Sequence, residues 1–121
     1  MEKAFAAGII DANKYQSLQD FNDDTFVVEM VETFIQQNEI YVEELEQAVA
    51  NSDFEAIRKV LHKMQGSAST VGAKVMTSEI MKLRAFAKSA DIKNINKFKE
   101  RLYKAVDTTK TALLELSSMP N

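Results

Sequence analysis

Cysteine is absent from the chain, so neither a disulfide framework nor a thiolate nucleophile is available. One proline, next to the C-terminus, and three glycines leave little punctuation for hairpins, which makes an all-helical fold the economical reading. No apolar run approaches the length of about 20 residues that spans a bilayer. The N-terminus lacks the basic flank and apolar block of a signal peptide. An intracellular soluble protein without a membrane role is therefore expected. Histidine occurs once, at His62, so any imidazole chemistry rests on that residue.

What is present is a soluble globular composition, 45% hydrophobic and 27% charged. A chain of 121 residues is long enough for one domain with a core and too short for two ordinary ones, so a single domain over 1–121 is expected. The net charge of −3 hides an asymmetry. Residues 1–52 hold two Lys/Arg against eleven Asp/Glu, and residues 53–121 hold thirteen against seven, or −9 and +6. The acidic balance argues against non-specific nucleic-acid binding. A basic half around His62 favours an acidic partner surface, unless the two signs merely decorate neighbouring helices.

Apolar residues at three-and-four spacing predict helices over about 25–50, 53–70, 73–89 and 92–117. The first buries Phe26, Val27, Met30, Val31, Phe34 and further residues to Val49, beneath an acidic face. Ser52 and Glu55 have capping-box spacing at the start of the second, and Gly72 marks its end. The third buries Val75, Met76, Ile80, Leu83 and Ala87; Asp91 caps the last. Met30, Met64, Met76 and Met81 are read as packing residues. In the N-terminal segment, residues 1–20, Phe5 is an isolated anchor and Asp11 caps a short helix that buries Ile10, Tyr15 and Leu18. The polar stretch 20–24 then connects to the first long helix. Short loops imply an antiparallel, up-down-up-down four-helix bundle with one or two short N-terminal helices across one end.

His62 points about 120° away from the apolar stripe of its helix, toward solvent or a partner. Its face-mates are Glu55, Arg58, Lys59, Gln65, Gly66 and Ser69, with no second histidine and no paired carboxylates, so no metal site is expected. Gly66 costs about 1 kcal/mol against alanine inside a helix. One turn after His62, it removes the side chain that would crowd the imidazole. A solvated histidine and a glycine kink are the plain alternatives.

The stretch His62-Lys63-Met64-Gln65-Gly66-Ser67-Ala68-Ser69-Thr70-Val71-Gly72-Ala73 resembles the signature H-x-[LMF]-K-G-[SA]-[SA]-x-x-[LIV]-G-[AL] of histidine-containing phosphotransfer (HPt) proteins. Gly8-Ile9-Ile10-Asp11, Ser17-Leu18-Gln19-Asp20, Phe26-Val27-Val28-Glu29-Met30-Val31 and Leu83-Arg84-Ala85-Phe86 look like the plant-type members of cytokinin-like relays. The chain departs from the pattern at Gln65, where the family usually has lysine.

The resemblance implies a phosphohistidine carrier without catalytic activity of its own. His62 would take a phosphoryl group from the receiver domain of a hybrid histidine kinase and pass it to that of a response regulator. It would react through Nε2, with Nδ1 held by a hydrogen bond. Gly66 would give access, and Lys63, Gln65, Arg84 and Arg58 would touch phosphate or partner. Arg84 is placed there because an antiparallel neighbour returns past His62 and the plant-type proteins carry arginine at that offset. Ser67 and Ser69 are read as local hydrogen-bonding groups. No cofactor is expected on this chain, with Mg²⁺ on the partner receiver domain; no nucleic acid, a monomer, and a cytoplasmic or also nuclear location complete the expectation. Loss of the lysine charge is worth about 0–1 kcal/mol at an exposed contact, which predicts slower transfer. The competing class is a helical adaptor that binds receiver domains without passing phosphate.

Overall fold

In a computed structural model, residues 8–21 and 24–118 are described. The reading of Phe5, and of residues 22–23 within the 20–24 connection, lies outside them. Five helices follow one another: α1 (Ala12–Phe21), α2 (Asp24–Ala50), α3 (Phe54–Val71), α4 (Lys74–Lys88) and α5 (Ile92–Ser117). Consecutive long helices pack side by side and α5 closes against α2, the adjacency of an antiparallel four-helix bundle. Among the described residues there is no strand, only a single antiparallel bridge between Ile10 and Ala73.

The core follows the apolar stripes. Val31, Phe34 and Leu45 of α2, Leu61 and Met64 of α3, Met76 and Leu83 of α4, and Leu102 and Leu113 of α5 are all buried. Met30 and Val75 are only half-buried, and two expected packing residues are exposed outright: Phe26 at 43% and Met81 at 50%. Both sit at the margin of a stripe, where a helical period alone does not separate the core edge from the surface.

Local chemistry sets the ends. Asp53, not Ser52, caps α3: its Oδ1 accepts the Ala56 N–H at 3.1 Å. Ser52 is unable to cap because it takes a left-handed φ of 49° that closes α2, while Asp53 N–H reaches back to Ala48 O at 2.9 Å. Asp53→Ala is expected to cost about 1 kcal/mol of stability, read as a lower urea midpoint at unchanged slope. Gly72 ends α3 with φ 71°, and its N–H closes onto Ala68 O and Ser69 O. A Cβ there would also stand 2.9 Å from Lys14 Cβ, so the close approach of α1 needs the glycine.

That approach fastens the N-terminal segment. Asp11 N–H donates to Gly72 O at 2.7 Å and Lys74 N–H to Ile9 O at 2.9 Å. Asp11 Oδ1 caps α1 by accepting from Asn13 and Lys14. Ile10 and Tyr15 are buried and Leu18 is half-buried, so α1 lies at the α3–α4 turn and touches α2 and α3.

The opposite charges of the two halves meet across the surface seams between helices. Lys63 pairs with Glu44 at 2.8 Å, Lys99 with Glu46 at 2.7 Å and Lys110 with Glu39 at 4.0 Å. Glu46 also accepts from the Tyr103 hydroxyl at 2.7 Å. These two hydrogen bonds, Lys99 first, hold the Glu46 carboxyl below its ordinary range, and burial pushes the Tyr103 hydroxyl well up. Part of the sequence asymmetry is thus spent between neighbouring helices, as the plainer reading had it.

Candidate functional site

His62 stands exposed on the outer side of α3. Neither of its ring nitrogens has a hydrogen-bond partner among the described residues, so the expected Nδ1 contact is missing. The reason is positional: on a helix the residues about 100° to either side turn toward the neighbouring helices, while the outermost one meets only solvent.

The flanking residues divide accordingly. On the α2 side, Lys63 is held by Glu44 and lies over the Tyr41 ring, 5.3 Å from its centroid. Ser67 also turns that way and accepts a hydrogen bond from Asn38 Nδ2 at 2.9 Å. On the α4 side, Arg84 comes alongside and its guanidinium donates to Gln65 Oε1. Arg58 donates to the Ala87 carbonyl at 3.4 Å. The structure therefore brings Gln65 and Arg84 together one turn below His62. Lys63 and Arg58 are turned to internal partners, although both remain exposed.

Past His62 toward the C-terminal end of α3 the surface is open. A Cβ built on Gly66 meets nothing within 4 Å, so the glycine fills no packing need. Thr70 Oγ1 donates to the Gly66 carbonyl at 3.0 Å, and Ser69 is exposed. Gln65 and Ser69 border a depression of about 440 Å³ that also includes Lys14 and Lys74. Those two lysines escaped the sequence reading, because only the backbone fastening of residues 9–11 to the α3–α4 turn carries them there. On the other flank, Phe26, Met30 and Thr33 of α2 and Ser67 and Thr70 of α3 border a groove of about 290 Å³.

Among the described residues, no group of three or more His, Cys, Asp or Glu side chains is placed to hold a metal ion. Nor is any helix there long and apolar enough to cross a membrane. What this face offers chemically is a reachable imidazole with open space on one side and a guanidinium within a turn.

Comparison with known proteins gives this arrangement its context. Residues 29–112 match the Hpt domain family. The chain belongs to the Hpt family. It is 32% identical over 87 residues to histidine-containing phosphotransfer protein 1 of Oryza sativa subsp. japonica, a match covering 68% of this chain and 58% of the rice protein. The Hpt chain superimposes on the crystal structure of histidine-containing phosphotransfer protein B from Pseudomonas aeruginosa PAO1 with a TM-score of 0.86, at 20% identity. That match covers 95% of this chain and 99% of the other. A rice histidine-containing phosphotransfer structure gives 0.85, also at 20% identity, over 93% and 84% of the two chains. The two structures speak for the bundle; the family match carries the histidine phosphotransfer class.

Proposed function

We propose that this Hpt chain is a relay intermediate in which His62 is the phosphorylated residue. It accepts the group from the receiver aspartate of a hybrid histidine kinase and delivers it to the receiver aspartate of a response regulator. The observation that carries the reading is the exposed imidazole beside an unfilled Gly66 within an Hpt bundle. The chain acts as a carrier and not as an enzyme, as a monomer in the cytoplasm and nucleus, in a relay of the plant cytokinin type. Mg²⁺ belongs to the receiver partner.

In the proposed step, the Nε2 lone pair attacks phosphorus, the P–O bond to the aspartate breaks, and its electron pair leaves on the carboxylate. Nδ1 holds the ring proton, with solvent beside it to take that proton up. Phosphoryl transfer is mostly positioning and charge stabilisation, so this chain has to supply only an unhindered nucleophile and cation support for the phosphoryl oxygens. Arg84, steadied by Gln65, supplies that support in this reading. The charge is delivered from α4 in place of the missing lysine. Lys63 and Arg58 can join only by leaving Glu44 and the Ala87 carbonyl. Phe26 and Met30 offer the receiver an apolar footing in the groove along Ser67 and Thr70, past His62 toward the end of α3.

Incubation with a phosphorylated receiver domain is expected to leave acid-labile, base-stable phosphate on this chain. Gln65→Lys is expected to change the transfer rate by up to about fivefold, the worth of an exposed charge contact. Arg84→Ala is expected to slow it by more, since it removes the cation that Gln65 positions; single-turnover transfer rates of the two variants check both. The substitution of lysine by Gln65 favours one second reading, an adaptor that binds receiver domains without transfer. Receiver binding without any labelling establishes that reading instead.

A further inference from the structure

The imidazole of His62 leans over the turn before it, away from Gly66, because side chains on a helix point back toward its N-terminus. That turn carries Arg58 and Lys59. Counted round the helix, Arg58 lies about 40° to the α4 side of His62 and Lys59 about 60° to the α2 side, so the two cations straddle the ring. Residues three and four apart have Cβ atoms about 5–6 Å from one another, within reach of either long side chain.

The cations around the ring differ in how firmly they are held. Lys63 is bound to Glu44 at 2.8 Å and lies over the Tyr41 ring. Arg84 donates to Gln65, one turn after His62. Arg58 reaches across to the Ala87 carbonyl of α4 at 3.4 Å. Lys59 is committed least: its carboxylate partner is Glu55 at 3.5 Å, and the two side chains are 73% and 76% exposed. An ion pair so open to water is easily exchanged for a better one.

We propose that Lys59 holds the phosphoryl oxygens once His62 carries the group, leaving Glu55 to do so. The exchange is favourable because a protein-bound phosphoryl group carries about −1.5 to −2 charge at pH 7, against −1 on the carboxylate. The group is thus held from the N-terminal side of the ring, and the side of Gly66 stays open for a receiver. This assignment rests on His62 as the phosphorylated residue. It adds to Arg84, which comes from the turn after.

The test phosphorylates the full chain with phosphoramidate: the Nε2–P bond forms, the P–N bond of the donor breaks and ammonia leaves. The ³¹P shift of the phosphohistidine is then followed against pH. A neighbouring cation favours the dianion. Lys59→Gln is therefore expected to make the phosphoryl group an about fivefold weaker acid, the most that an exposed ion pair supplies. Lys59→Arg restores the wild-type titration, and Lys104→Gln, the same loss of charge on the exposed face of α5, leaves it in place. A titration unchanged in Lys59→Gln, moved equally in Lys104→Gln or not restored by Lys59→Arg would overturn the assignment. Because the group comes from a small donor, failure to take phosphate from a receiver ends the relay reading and not this one.

Discussion

His62→Gln is expected to abolish phosphoryl uptake from a phosphorylated receiver domain while leaving the bundle as stable as before. The two halves of this expectation come from the same placement. An exposed side chain without hydrogen-bond partners contributes little to folding, so the change should stay within about 0.5 kcal/mol. The amide nitrogen of glutamine has its lone pair delocalised into the carbonyl and is no nucleophile, so the reacting atom is gone while the shape remains. Phosphate incorporation measured beside thermal unfolding reads both halves at once. Equal labelling of wild type and variant would sink the carrier reading. Loss of labelling with retained receiver affinity would separate docking from chemistry.

Much of the bundle could be read from the chain because amphipathic helices write their packing locally. The recurrence of Ile57, Leu61, Met64 and Ala68 implies a buried stripe, and these residues are buried. The same wheel sets His62 on the opposite side. An antiparallel neighbour brings the later turns of α4 past His62, the family resemblance singles out Arg84 among them, and Arg84 meets Gln65. What escaped depends on contacts between distant segments. Lys63 looked available beside His62, yet Glu44, nineteen residues away, holds it. Asn38 reads as an ordinary polar residue of α2 until Ser67 is folded against it. Glu79 is likewise buried in spite of its charge, between Lys82 at 3.2 Å and Arg101 at 3.8 Å. The missed cap at Asp53 has a different origin: two adjacent residues had the right chemistry, and only the left-handed φ of Ser52 decides between them.

Gly66 should respond in opposite directions to a small and a large replacement. Gly66→Ala is expected to stabilise the protein by about 1 kcal/mol, because it lowers the entropy cost of an interior helix position. The added methyl meets open space, so no strain offsets the gain. Gly66→Phe tests why the position remained glycine. Side chains on a helix lean toward its N-terminus, and residue 66 lies one turn after His62 and only about 40° round the axis from it. A phenyl ring there leans over the imidazole, into the space a receiver domain must enter. Displacement of the reacting atoms by about 1 Å is enough to slow transfer about a hundredfold, the loss expected for this variant. Urea unfolding should find the phenylalanine protein folded, and single-turnover phosphotransfer should find it nearly inactive. A phenylalanine variant that relays phosphate at the wild-type rate would show that the open turn beside His62 is not what admits the partner.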